Sequence, residues 1–123
     1  MPALNYKEQF APAVEIGLID AENPKAKRQT IRAWRKRPIK KGDRLYMYTG
    51  MRMKKCRKLG EAVCKRARRI DISYEGIYLD GVRIAVREAE ALARADGFDR
   101  LVLLYRFFKK THGFPFSGQL IEW

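Results

Sequence analysis

Lys27-Arg28-Gln29-Thr30-Ile31-Arg32-Ala33-Trp34 is the stretch on which the reading of this chain turns. Gln29 to Trp34 predicts a strand. In it Thr30, Arg32 and Trp34 share one face and Gln29, Ile31 and Ala33 the other, while Lys27 stands at the strand mouth. The run lies inside an unusually basic region. Lys25 to Arg69 holds 19 of the 27 Lys and Arg residues but only two acids, Asp43 and Glu61. Its local charge is therefore +17 while the remainder carries −4. Such an imbalance is electrostatically costly unless an anion meets it, and a polyphosphate is the obvious visitor.

Upstream of the run, Glu8 to Leu18 predicts a short helix. Phe10, Val14 and Leu18 lie on one face, and Pro12 sits early enough for a first turn. Asp20 to Pro24 is loop chemistry. Downstream, Lys40 to Asp43 is a turn, and Arg44 to Thr49 is an aromatic and β-branched strand. Gly50 to Lys58 reads as a loop with five cations, and Leu59 to Ser73 as one long basic strand. Tyr74 to Val82 is a hairpin turning at Asp80-Gly81. The texture then becomes helical: Ala85 to Ala95 ends at Gly97, and Asp99 is the expected N-cap of a second helix. In that helix Leu101, Leu104, Tyr105 and Phe108 have core spacing, and His112 sits at its C-terminus. Phe116 to Trp123 returns as a final strand. Helix, several strands, helices and strand spell an α+β fold, with enough strands to curl into a small β-barrel flanked by helices.

At 123 residues the chain, residues 1–123, reads as a single domain. Six Phe, six Tyr and two Trp argue against disorder. The first residues carry no secretory pattern, and no stretch approaches a membrane span. Cys56 and Cys64 are expected as free thiols of a cytoplasmic protein. One His and no Cys-x-x-Cys predict no metal site. No P-loop or G-x-G-x-x-G is present, so no cofactor is expected. The basic residues fall in strands and loops, not on an amphipathic helix, which favours nucleic acid over a membrane surface. A monomer is expected.

Three arrangements carry chemistry. Thr30 would be a nucleophile if Lys27, desolvated near other cations, took its proton, with Arg32 gripping a phosphate. As ordinary structure, Thr30 is a β-branched strand residue. The second arrangement is aromatic residues among cations, on which bases stack while the cations hold phosphates. It gives a nucleic-acid set of Arg28, Arg32, Trp34, Arg35, Lys36, Arg37, Arg44, Tyr46, Arg52, Lys54, Lys55, Arg66 and Arg68. Trp34 also suits the core, so phosphate contacts are weighted above stacking. The third is Asp96 before Gly97, which would either orient a lysine or stand as a surface carboxylate.

The ordered set of pieces resembles the ASCH domain family, related to the RNA-binding PUA domain. It comprises the helix from Phe10 to Leu18, Lys27-x-x-Thr30-x-Arg32, Arg35-Lys36-Arg37 and the Gly42-Asp43 turn. Leu59 to Ala62, the Ala95 to Phe98 helix end and the closing Phe114 to Trp123 segment complete it. The resemblance implies a PUA-like barrel with a cleft beside the motif, binding RNA in preference to DNA. Some members are similar in this motif to a small amidohydrolase that deacetylates N(4)-acetylcytidine. By that likeness Lys27, Thr30 and an acid at Asp96 would be catalytic on a modified nucleoside. Lys25 stands where the family usually has Gly, and Asp96 where it has Glu. RNA binding is the first expectation, the amidohydrolase the second. A metal-independent ribonuclease, for which the chain offers only His112 as an imidazole, ranks third.

Overall fold

Alternation decides the best-formed strand. Leu45, Met47 and Thr49 are fully buried while Tyr46 and Tyr48 lie half-buried on the other face, building β3 (Arg44–Thr49). In the computed structural model, which describes residues 2–123, β3 is the centre of a three-stranded sheet. β1 (Ala3–Tyr6) runs parallel to it and β4 (Arg57–Val63) antiparallel, with a register shift between Met47 and Tyr48. A five-stranded antiparallel sheet holds the remaining strands. They are β2 (Gln29–Ala33), β5 (Arg66–Ser73), β6 (Gly76–Leu79), β7 (Val82–Arg83) and β8 (Phe116–Glu122), in the order β2-β8-β5-β6-β7. With the helices α1 (Ala11–Ile19), α2 (Val86–Ala95) and α3 (Leu101–Thr111) this is an α+β fold. The two sheets are open, and neither closes on itself.

The segment expected as one strand from Leu59 to Ser73 is two. At the break, Cys64 N–H donates to Asp43 O at 2.8 Å in the small sheet's turn. The next residue, Lys65, donates to Glu122 O at 2.8 Å in the large sheet. Adjacent residues thus bond to different sheets, and the chain crosses there. β1 was not expected at all. Its partner is more than forty residues away, and four residues carry little periodicity.

Two cores result. Ile31, Ile70, Leu92, Leu104, Phe108, Phe116 and Leu120 pack between the large sheet and α2 and α3. Leu4, Tyr6, Val14, Leu45, Met47, Ile121 and Trp123 pack between the small sheet and α1. Leu120 and Ile121, successive residues of β8, serve one core each, so β8 divides them. Leu104 and Phe108 are buried as their spacing predicts, with Leu101 and Tyr105 against them. The N-terminus of α3 is capped differently than expected. Arg100, not Asp99, holds the N-cap position, and the Glu90 carboxylate of α2 accepts from Leu101 N–H at 3.1 Å. That carboxylate also ties the two helices together.

Candidate functional site

Strand β2 presents its two faces to two different neighbours. Thr30 and Arg32 pair across β8 with Ile121 and Gln119, placing them on the side of the small sheet. Gln29, on the opposite face, donates from Nε2 to Leu92 O at 3.2 Å and to Asp96 Oδ1 at 3.3 Å in α2. Lys27, just before the strand, is fixed by its own N–H to Ala13 O of α1 at 2.8 Å. Gly17 makes this approach possible, because a Cβ there would run into the Lys27 carbonyl.

Lys27, Thr30 and Arg32 border one cavity of about 810 Å3, lined also by β1, Phe10, Arg35, Arg52, the end of α2 and the end of α3. Lys27 is only 3% exposed, and its Nζ lies 3.2 Å from Asp96 Oδ1 and 2.5 Å from the Asp96 main-chain oxygen. The ammonium also sits 5.1 Å from the Phe10 ring centre. Burial pushes Lys27 below the ordinary lysine range, against the pull of the Asp96 charge. Burial likewise pushes Asp96 above the ordinary carboxylate range, against Lys27. Burial thus works against the charged form of each, while their mutual attraction works for it.

On the other side of the strand, Thr30 Oγ1 accepts from Arg32 Nε at 2.9 Å. The Arg32 guanidinium lies over the Tyr6 ring, 4.7 Å from its centre. Tyr6 is itself buried, its hydroxyl donating to Met47 Sδ at 3.6 Å, and burial holds the phenol protonated well beyond its usual range. Thr30, Arg32 and Tyr6 thus form a fixed floor, with Thr30 and Arg32 both hydrogen-bonded to the Tyr6 hydroxyl. The structure brings Lys27, Thr30, Arg32 and Asp96 to one cavity. Among the described residues, Lys27 bonds to Asp96 and Thr30 to Arg32, with no direct bond between Lys27 and Thr30.

The basic residues divide into two kinds. Arg28 is a structural tie, donating to Gly17 O and to the Trp123 main-chain oxygen at 2.5 and 2.6 Å. Arg66 and Arg68 both pair with Glu122 at 2.8 Å. Arg44 shares Glu61 with Lys58, and Lys58 lies 5.5 Å from the Tyr46 ring centre. These residues of the expected nucleic-acid set are drawn into contacts within the fold. Arg35, Lys36, Arg37, Lys40, Lys41, Arg52, Lys54 and Lys55 make no ion pair among the described residues, and the segments 35–41 and 52–55 contain no acid. Arg35 and Arg52 border the cavity. Lys36, Arg37, Lys54 and Lys55 are exposed outside it.

Trp34, suited by composition to the core, is 46% exposed. Its indole N–H donates to Ser117 Oγ at 3.0 Å, so the ring is tethered at one edge and open to solvent elsewhere. Reading the sequence missed Tyr6 and the place of His112 at the cavity. His112 stacks on Phe108 with ring centres 5.5 Å apart, and burial pushes its pKa below the ordinary histidine range. Neither residue has a local motif that could have flagged it. Comparison with family models, with curated proteins and with solved structures found no match for this chain.

Proposed function

We propose that this protein is an RNA-binding domain of the ASCH, PUA-like kind, which takes a base into the Thr30 cavity and holds the strand with the cations around it. The observation that carries the reading is the sorting of charge. Arg57, Arg66, Arg68 and Arg69 are paired with Glu15, Glu122 and Asp71, whereas no cation of segments 35–41 and 52–55 has an ion pair among the described residues, and Arg35 and Arg52 of those segments border the cavity. A volume of about 810 Å3 is in the range of small-molecule sites and admits a nucleoside. The tethered, open ring of Trp34 offers a stacking surface next to Arg35. In this reading the two sheets are the parted halves of a PUA-like barrel, and the cavity is the parting. The test is a salt series with a short single-stranded RNA. Contact with six to ten phosphates makes affinity fall by about 10³–10⁵ between 50 and 200 mM salt. Affinity indifferent to salt removes the reading.

A second reading, an amidohydrolase acting on N(4)-acetylcytidine or a related acylated nucleoside, is favoured by the buried Lys27–Asp96 pair on the same cavity as Thr30. Thr30 Oγ1 would attack the amide carbonyl while neutral Lys27, on the same cavity, accepts its proton. The C–N bond breaks, the amine leaves with that proton, and water then frees acetate from the acyl-threonine. Arg32 and Tyr6 hold Thr30 in place. Incubation with the acetylated nucleoside should release cytidine and acetate. Activity that survives Thr30→Ala would show that these roles are wrong.

A further inference from the structure

We infer that the turn following β2 forms a second, separate anion site, which takes a backbone phosphate of the RNA strand whose base enters the Thr30 cavity. The inference rests on the RNA-binding reading and names the class of ligand: a polynucleotide, which carries a phosphate beside the bound base, in place of a free nucleoside. A concavity of about 750 Å3 is lined by Pro2 and by the turn from Arg35 to Arg44. Five cations face it, Arg35, Lys36, Arg37, Lys40 and Arg44, against one acid, Asp43. That acid is occupied, its Oδ2 accepting from Lys40 N–H at 2.9 Å. Only Arg44 among the five has an ion-pair partner, the exposed Glu61 at 3.5 Å.

The turn is built, not slack. Gln119, 5% exposed on β8, accepts from Ile39 N–H at 3.0 Å and donates to Ile39 O at 2.8 Å, clamping the turn through both of that residue's backbone groups. Ile39 itself is buried in the small-sheet core. Gly42 N–H donates to Cys64 O at 2.8 Å and pins the far end. Charges held on a fixed frame bind an anion with less ordering cost than charges on a flexible tail. Guanidinium forks suit phosphate oxygens, and three of the five cations, Arg35, Arg37 and Arg44, carry them.

Arg35 borders both this concavity and the Thr30 cavity. The same Gln119 lies directly opposite Arg32 in the β2–β8 register, so the floor of the base cavity and the clamp of the turn share one strand position. An RNA strand with its base in one concavity would place a neighbouring phosphate at the other, since the two share Arg35 as a lining residue. An uncharged nucleoside has no use for the second site.

The experiment measures binding of a fluorescein-labelled single-stranded RNA of about 12 nucleotides as a function of salt, for the full chain and two variants. Lys36→Ala/Arg37→Ala removes two exposed cations of the site. Arg87→Ala/Arg106→Ala removes the same charge from exposed positions on α2 and α3. The first variant should lower the slope of log affinity against log salt by about 1.4, the equivalent of two single-strand phosphate contacts. The second should leave the slope unchanged. A parallel titration of the unaltered protein with inorganic tripolyphosphate, read by backbone amide shifts, should move the amides of residues 35–41 first. RNA binding with the same slope in both variants overturns the inference while leaving the RNA-binding reading in place. So does tripolyphosphate binding at the turn without any change in the RNA slope, since the site then serves free anions. Absence of RNA binding by the unaltered protein overturns both.

Discussion

Asp96→Ala separates a site built around a buried ion pair from an ordinary helix end. In the folded protein Lys27 Nζ is held by Asp96 Oδ1 at 3.2 Å and by the Asp96 main-chain oxygen at 2.5 Å, and both residues are buried. The substitution leaves the amine with the main-chain oxygen alone. A buried charge stripped of its partner typically costs about 3–5 kcal/mol. A separate bound comes from proton chemistry, because Lys27 can escape the penalty by deprotonating. From the ordinary lysine value of 10.5, doing so at pH 7 costs about 4.8 kcal/mol. At pH 9 the same escape costs about 2 kcal/mol. The sign follows from linkage. A lysine with a depressed folded pKa destabilises the fold while protonated, so its stability rises with pH through the window between the folded value and 10.5. Without Asp96 that window opens lower. The loss caused by Asp96→Ala should therefore be about 3–5 kcal/mol at pH 7 and shrink by up to about 2.7 kcal/mol at pH 9. Urea unfolding of both proteins at the two pH values reads this directly. Replacing the pair together, Lys27→Met with Asp96→Leu, should recover most of the loss, as apolar replacements of buried pairs commonly do. A loss below about 1 kcal/mol, the scale of exposed pairs, or one that does not change between pH 7 and 9, refutes the reasoning.

Two further substitutions test the frame around the site. Gly97 has φ +99°, and a Cβ there would lie 2.9 Å from Phe10 Cδ1; Gly97→Ala should therefore cost about 1–2 kcal/mol or more, and an unchanged melting temperature would contradict both the backbone strain and the close contact. Burial opposes ionisation of Glu122, but the hydrogen bonds and charges of Arg66 and Arg68 outweigh it and hold the carboxyl below 4.5. The stability Glu122 contributes is thus present above pH 4.5 and lost as pH falls through its lower folded value. Glu122→Gln should flatten the acid limb of a melting-temperature profile, and parallel limbs in the two proteins would contradict the pairing.

The elements legible in the sequence were those whose pattern is local. β3 keeps the limits set by its alternation, and α3 buries Leu104 and Phe108 as their spacing requires. What escaped was set by distant partners. β1 exists because β3 offers it a parallel edge, and the break at Cys64-Lys65 exists because two sheets claim successive N–H groups. A run of cations obscured that break, since exposed charge has no period. The candidate site behaves in the same way. Lys27, Thr30 and Arg32 could be singled out from spacing, and Asp96 from the helix end it shares. The fates of Arg28, Arg66 and Arg68 could not, because their partners at Gly17, Trp123 and Glu122 lie far along the chain. Tyr6 carries no motif and is identified only by Arg32 lying across its ring.

The proposed RNA surface is tested most directly by mapping backbone amide shifts of the labelled protein during titration with a short single-stranded RNA. The perturbed amides should gather at Asn5 to Lys7, Thr30 to Lys41 and Met51 to Lys55, around the cavity and its unpaired cations. Shifts confined to β5, β6 and β7, where Arg66, Arg68 and Arg69 already hold their acids, would contradict the sorting of charge on which the proposed function stands.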